Sequence, residues 1–256
     1  MREAWLILPT YNEAENLEPL VRAALPELER SGHPHKLLVV DDNSPDGTGR
    51  IADRLAEELD PVEVLHRARK EGLGRAYLEG FRLALGRGAG LLLEMDSDFS
   101  HDPADLPRLI AASETADLVL GSRYVPGGGI TDWGPLRRGL SRGGSWYARV
   151  LLSLPVRDLT GGFKCFRSEV LETLDLDGVH ADGYGFQIEL TYRAVKAGFS
   201  VTEVPILFRE RRVGRSKMTA RIAIEAVWKV PALRFRRVHS PQSPVPRGEE
   251  SAERGT

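Results

Sequence analysis

The chain has 256 residues, 41% hydrophobic and 28% charged, enough to bury the core of one large α/β domain. A net charge of −2 gives no argument for nucleic acid as a partner, and the single cysteine, Cys165, excludes an internal disulfide and fits a reducing cytoplasm. No run approaches the roughly 18 uninterrupted apolar residues of a spanning helix, and the start MREAWLILPTYNE lacks the basic stretch and long apolar run of a signal peptide, so a soluble or peripherally membrane-associated protein is expected.

Over residues 1–125, the short apolar runs AWLIL, KLLVV, VEVL, GLLLEM and DLVLG alternate with stretches of helical spacing. After the first run, Leu17, Leu20, Val21, Ala24, Leu25 and Leu28 recur at three- and four-residue steps and predict a helix over 15–30. A second helix is predicted over 103–112, with Asp102 as its N-cap and Pro103 at its first position. Such alternation implies parallel strands joined by right-handed crossovers, a Rossmann-like sheet.

Beyond Arg123 the pattern changes. The Gly-rich PGGGITDWG leads into an amphipathic helix over 135–154, carried by Leu136, Leu140, Trp146, Tyr147, Val150, Leu151 and Leu154. GGFKCF reads as a strand, followed by a short helix near 168–174, a longer one near 186–197, a strand over 199–208 and the segment 218–235. The last eighteen residues, HSPQSPVPRGEESAERGT, lack apolar periodicity and read as a disordered tail. Charge is uneven: residues 134–157 hold Arg137, Arg138, Arg142, Arg149 and Arg157 and no acid, and residues 205–238 hold ten Lys or Arg against Glu210 and Glu225. That asymmetry suits an anionic ligand or a basic solvated surface equally well.

The first strand–helix turn, PTYNEAEN, has no glycine, and EGLGRAYLEG follows the third strand without the rest of a dinucleotide fingerprint, so NAD binding is not expected. Asp96 and Asp98 stand directly after the fourth apolar run, where ligands bind in open parallel sheets. Two carboxylates at i and i+2 of an extended segment point to one side and make a hard oxygen site for Mg²⁺ or Mn²⁺ that also holds phosphate oxygens. Asp41 and Asp42 end the second strand in the same way. His101 reads as a loop residue, and Cys165 as inert core.

Taken in order, LPTYNEAENL, VVDDNSPDGT, GLGRAY, MDSDFSHDP, GSRY, LTGGFKCF, GYGFQIE and RRVGRSK resemble the polyprenol-phosphate mannose synthases, inverting glycosyltransferases of family 2 with a GT-A fold. The resemblance runs from about residue 4 to 220. It implies metal-dependent transfer of mannose from GDP-mannose to a polyprenyl phosphate, by a peripheral enzyme at the cytoplasmic face of a membrane, with a separate membrane-anchoring subunit as a possible partner. It divides the chain into a GT-A domain over 1–238 (a nucleotide-sugar half, 1–125, and an acceptor half with interfacial helices, 126–238) and a tail, 239–256. Pro9, Tyr11, Glu13, Val40 and Asp42 are then expected around the guanosine, and Asp96, Ser97 and Asp98 at the metal and diphosphate. Arg123, Arg211 and Lys217 fall near the phosphates, while Arg137 and Ser141 correspond to an acceptor-phosphate contact. Arg142 adds charge beside them. Position 100 is Ser where some members have a Gln metal ligand, so a third protein ligand at Ser100 stays open against a water. A glucose or other sugar donor is the alternative within the class, and a non-catalytic nucleotide-sugar-binding subunit the alternative outside it.

Overall fold

A computed structural model of the chain describes residues 1–179 and 183–210, with residues 230, 231, 233 and 234. The tail 239–256 and most of the segment 218–235 lie outside the described residues.

The predicted alternation is present. β1 (Ala4–Thr10), α1 (Ala14–Arg30), β2 (His35–Asp41), α2 (Thr48–Glu58), β3 (Val62–His66), α3 (Leu73–Gly86), β4 (Leu91–Glu94), α4 (Leu106–Ala112) and β5 (Leu118–Ser122) follow one another in the first half. Ahead of α4 stands the 3₁₀ turn Pro103–Asp105, where the Asp102 side chain accepts the Ala104 N–H at 3.1 Å, so the expected cap starts a tighter turn before the α-helix. The second half contributes β6 (Gly129–Ile130), α5 (Pro135–Leu152), β7 (Lys164–Arg167), α6 (Ser168–Thr173), α7 (Tyr184–Lys196), β8 (Val201–Pro205) and β9 (Leu207–Phe208). The strand expected over 199–208 is thus split: β8 pairs with β5, and β9 turns away to pair with β6.

The main sheet has seven strands in the order β3-β2-β1-β4-β7-β5-β8. All its pairings are parallel except those of β7, which enters antiparallel between β4 and β5. Helices cover both faces, which is why the β1 run is apolar throughout instead of alternating. Trp5 and Ile7 join the core with α3, α5, α6 and α7, while Leu6 and Leu8 join the core with α1, α2 and α4. Contact between α3 and the sheet is close. A Cβ on Gly80 would lie 2.7 Å from Ile7 Cγ2, so only glycine lets the helix sit at this depth.

One helix turns its apolar stripe the other way. Leu136, Leu140, Trp146 and Val150 of α5 are 57–77% exposed, whereas Ser145, Ala148 and Leu152 face the core. Small residues on the inner face let α5 approach closely, and the larger apolar ones line its outer side.

A buried ion pair fixes the end of β5. Arg123 forks onto Asp158 through Nε and Nη2, each at 2.7 Å, and its backbone N–H donates to the same carboxylate at 3.0 Å. Both side chains are at most 3% exposed. Glu203 of β8 in turn accepts the N–H groups of Arg157 and Asp158 at 2.8 and 2.9 Å, tying that loop to the sheet edge. Removing one partner strands the other charge in the interior, a loss of about 3–5 kcal/mol, whereas replacing both with apolar residues costs much less. Urea unfolding should therefore show Asp158→Asn and Arg123→Met each destabilised on that scale, with Arg123→Met/Asp158→Leu recovering most of the loss. Additive losses in the double variant would show that the pair does not hold this corner.

Candidate active site

The carboxyl ends of β1, β2 and β4 meet along one edge, as parallel strands with crossover helices require. Each is followed by a residue in the left-handed region: Asn12 at φ 56°, Asn43 at 56° and Phe99 at 61°. Asparagine tolerates that conformation, but a phenylalanine there is strained by about 1–3 kcal/mol and must be held by its surroundings. The holding contacts are visible. Ser97 Oγ donates to the Pro9 carbonyl at 2.9 Å, Asp98 Oδ1 accepts the Ser100 N–H at 3.0 Å, and the Ser100 carbonyl accepts the Arg209 N–H at 3.0 Å. Residues 96–100 are thereby stitched to β1 on one side and to the end of β9 on the other.

Asp96 and Asp98 share a polar pocket of about 90 Å³ with Ser100, Arg123 and Arg137. Beyond β4 the backbone is a turn instead of an extended strand, yet both carboxylates reach the same space. Ser100 Oγ is buried and has no hydrogen-bond partner among the described residues. His101 is a loop residue as expected, but a buried one: it is 1% exposed, packed 5.0 Å from the Phe163 ring and 5.3 Å from Phe208. Burial pushes its pKa down, against the pull of Asp98, so the ring is held neutral.

The other expected residues are distributed as follows. Pro9 and Val40 are buried at the ends of β1 and β2, and Tyr11 lies under the Lys70 ammonium, 4.0 Å from its ring centroid. Glu13 accepts Asn16 Nδ2 at 2.8 Å at the start of α1. Asp42 is ion-paired with the buried Arg67, which also meets Glu79 at 3.0 Å and Glu71 at 3.2 Å. Burial pushes the Asp42 carboxyl up and Arg67 offsets only part of that. Asp41 is turned into its own loop, accepting from Ser44 Oγ at 2.5 Å and Ser44 N–H at 3.2 Å, so the second acidic pair does not face the pocket with Asp96 and Asp98.

Arg123 lines the pocket, but its charge is matched by Asp158 and one further N–H goes to Thr160 Oγ1 at 2.7 Å. Its guanidinium serves first as internal scaffolding. Arg137 is exposed, stacks 4.0 Å over the Trp133 ring and pairs with Glu210 at 2.8 Å. Ser141 Oγ accepts the Tyr124 hydroxyl at 2.7 Å, and Arg142 is exposed on α5. Arg211 and Lys217 lie outside the described residues.

Beneath the pocket sits a group that motif reading passed over. Glu94 pairs across the antiparallel ladder with Lys164, and both are fully buried. Lys164 Nζ donates to the Gln187 carbonyl at 2.8 Å and to Thr191 Oγ1 at 3.1 Å, anchoring the first turns of α7. Burial pushes the Glu94 carboxyl up and the Lys164 ammonium down, and each charge partly restores the other. The signal was available: an acid inside LLLEM and a lysine inside GGFKCF both interrupt apolar strands. Cys165, beside them, is core as expected, with its thiol pushed up to about 12 by burial.

A second cavity adjoins the first. It is an apolar groove of about 950 Å³ along the outer side of α5, and it shares Trp133, Arg137, Thr160 and Tyr184 with the polar pocket. Leu136, Leu140 and Tyr147 line it from α5, facing Ile188 and Val230. Gly139, Gly143 and Gly144 leave its α5 side open, with no atom within 4 Å of where a Cβ would stand.

Comparison with known proteins agrees with this architecture. The model of glycosyl transferase family 2 matches residues 5–175. An undecaprenyl-phosphate mannosyltransferase of Micrococcus luteus is 49% identical over 225 residues, covering 86% of this chain and 89% of its own. A polyprenol monophosphomannose synthase of Mycolicibacterium smegmatis is 50% identical over 227 residues, covering 88% of this chain and 84% of its own. Among solved structures, glucosyl-3-phosphoglycerate synthase from Mycobacterium tuberculosis in complex with phosphoglyceric acid superposes with a TM-score of 0.69 at 18% identity, over 91% of this chain and 80% of its own. The same enzyme with Mn²⁺, UDP-glucose and glycerol 3-phosphate gives 0.68 at 19%, with coverages of 91% and 80%; at these identities the likeness is one of fold. A match that begins within β1 and runs past the end of α6, with relatives at about half identity along most of their length, makes the chain a member of glycosyl transferase family 2.

Proposed function

We propose that the chain transfers mannose from GDP-mannose to a polyprenyl phosphate with inversion at the sugar, releasing GDP. The observation that carries this reading is the shared wall between a carboxylate-bearing polar pocket and a large apolar groove. A nucleotide-sugar donor needs only the first, and a sugar or small-acid acceptor would not need the second. An acceptor with an ionic head and a long hydrocarbon body needs both. The names of the two relatives at about half identity supply the sugar and the lipid class.

The donor end fits a divalent cation, Mg²⁺ or Mn²⁺. Asp96, Asp98 and the unpartnered Ser100 hydroxyl offer hard oxygen donors facing one space. No cluster of three or more His, Cys, Asp or Glu among the described residues could hold a metal ion, so in this reading the coordination is completed by diphosphate oxygens and water. When bound, the cation neutralises charge that builds on the departing diphosphate. Pro9, Tyr11, Glu13, Val40 and Asp42 surround the guanosine in this reading, and Arg211 and Lys217 add positive charge on the leaving side.

At the acceptor end a phosphate monoester, with a second pKa near 6, is largely a dianion at neutral pH. It attacks the anomeric carbon without a general base. Arg137, Ser141 and Arg142 border its path, and the role proposed for Arg123 is to shape the wall rather than to meet the phosphate with a free charge. α5 also suits an interfacial position. Its outer Leu136, Leu140, Trp146 and Val150 stand beside Arg138, Arg142 and Arg149, the composition of a helix lying in a lipid surface. No helix of the described residues is long and apolar enough to cross a membrane. The enzyme therefore works in this reading from the cytoplasmic face as a peripheral protein, alone or with a separate anchoring subunit.

Three measurements test these points. Assayed with GDP-mannose, GDP-glucose and UDP-glucose against a polyprenyl phosphate, the chain should transfer mannose, and only with added Mg²⁺ or Mn²⁺. Asp96→Ala and Asp98→Ala should each lose about 100-fold or more, the scale of several kcal/mol of charge stabilisation, with unchanged melting. Near-normal turnover of both variants at saturating metal would refute the metal assignment.

Gly143→Leu should leave the fold intact or firmer, since leucine is favoured over glycine in a helix by roughly 0.8 kcal/mol. Its side chain would fill the groove, so KM for a long-chain acceptor should rise about tenfold, with KM for the donor unmoved. A long-chain KM that stays at the wild-type value would remove the groove from the acceptor's path.

Anionic liposomes should retain the protein at low salt and release it as ionic strength rises, because each basic residue contributes about 1 kcal/mol that salt screens. Arg138→Gln/Arg142→Gln/Arg149→Gln should bind less at every salt concentration. Salt-independent failure of the wild type to bind would transfer anchoring to another subunit.

A further inference from the structure

We propose that Lys164, with Glu94 as its counter-charge, is a positioning residue for glycosyl transfer: it sets the first turns of α7, and with them one wall of the polar pocket, at a fixed place opposite Asp96 and Asp98. The inference rests on the transfer proposed above.

Stability alone does not call for these two charges. Both side chains are fully buried, on adjacent strands, at facing positions of the β4–β7 ladder. A buried pair of opposite charges is often no more stabilising than apolar residues of the same volume. Neither Glu94 oxygen has a hydrogen-bond partner among the described residues, so Glu94 contributes balance of charge rather than a contact. Lys164 Nζ instead reaches out of the sheet to α7, donating to the Gln187 carbonyl at 2.8 Å and to Thr191 Oγ1 at 3.1 Å.

The start of α7 needs such a hold. Its N-cap, Gly183, offers no capping side chain and stands at φ 55°. The bond from the Gln187 N–H back to the Gly183 carbonyl is long, at 3.4 Å. Lys164 therefore grips the helix at a residue whose own helical bond is weak.

That residue also belongs to the pocket. Gly183, Tyr184 and Gln187 line it together with Asp96 and Asp98. Gly162 marks how close the two sides come: a Cβ there would lie 3.5 Å from both Gln187 Nε2 and Asp96 Oδ1, so the helix and the carboxylate close on the same glycine. A shift of α7 on the order of 1 Å would move this wall against the reacting groups, and misplacement on that scale can cost about 100-fold in rate.

Steady-state kinetics, melting and calorimetry on the full chain test this, using whichever nucleotide sugar the wild type turns over. A failure of the mannose reading then shows in the wild type, and a failure of this inference only in the variants. Glu94→Leu/Lys164→Met replaces both charges and should melt at or above the wild-type temperature. Its kcat should nevertheless fall about tenfold or more, with binding of GDP and Mn²⁺ unchanged. Thr191→Val removes one acceptor of the ammonium without touching β4 and should lower kcat by less. Thr191→Ser keeps the hydroxyl and should keep kcat. Full kcat in the folded double variant would overturn the positioning role. So would a loss of GDP or Mn²⁺ affinity that matched the fall in kcat, because the effect would then lie at Asp96 and Asp98 and not at α7. If the double variant does not fold, the Thr191 pair decides: equal kcat in Thr191→Val and Thr191→Ser would overturn the inference, and a deficit confined to Thr191→Val would support it.

Discussion

Three acids, Glu94, Asp96 and Asp98, leave one strand end within five residues, and the accommodation of that like charge organises much of the molecule. They are not treated alike. Glu94 is fully buried opposite Lys164: burial pushes its carboxyl up, and the nearby ammonium offsets only part of that. Asp98 is steadied by a backbone N–H, and beside them His101 is kept neutral by burial, which removes a cation that would otherwise pair with the carboxylates. Asp96 and Asp98 both line one pocket. The register of β7 sets Lys164 level with Glu94 across the antiparallel ladder.

The same device recurs at the other charged corners. Arg123 and Arg67 are both buried, and both have acids built around them. Guanidinium groups suit such posts because their planar forks satisfy two oxygens at once. A charge so matched sets the position of loops more than it attracts a ligand. The exposed Arg137, stacked on an aromatic ring and loosely paired, belongs to a different category of arginine: it can change partners.

This distinction marks what was legible in the sequence. The apolar runs located β1 to β5, and the periodicity of Leu17 to Leu28 located α1, because burial on two faces and on one face leaves unmistakable patterns. The DSD motif found the pocket. The partners of its arginines were not legible. Asp158 lies in VRDLTGG with no periodic context, and nothing in spacing says that it folds against Arg123, 35 positions away. The apolar stripe of α5 was legible too, but not its direction, since periodicity cannot distinguish a stripe facing a core from one facing a groove. Small residues at Ser145 and Ala148 decided that outcome by letting the opposite face pack closer. The burial of His101 was not legible for a related reason: the aromatic lid of Phe163 and Phe208 is assembled from distant segments.

The place of β7 between β4 and β5 also matters for how the chain is made. Synthesis delivers β4 and β5 well before β7, so an emerging chain holds two strand edges that cannot yet meet. Their unpaired edges are templates for wrong pairing until Lys164–Arg167 leaves the ribosome and slots between them. That event does two things at once: it closes the middle of the sheet and sets Lys164 against Glu94. Asp96, Asp98 and Ser100 are made before β7, whereas Tyr184, Gln187 and Phe208 follow it, so the wall around the carboxylates is completed only after that strand is in place.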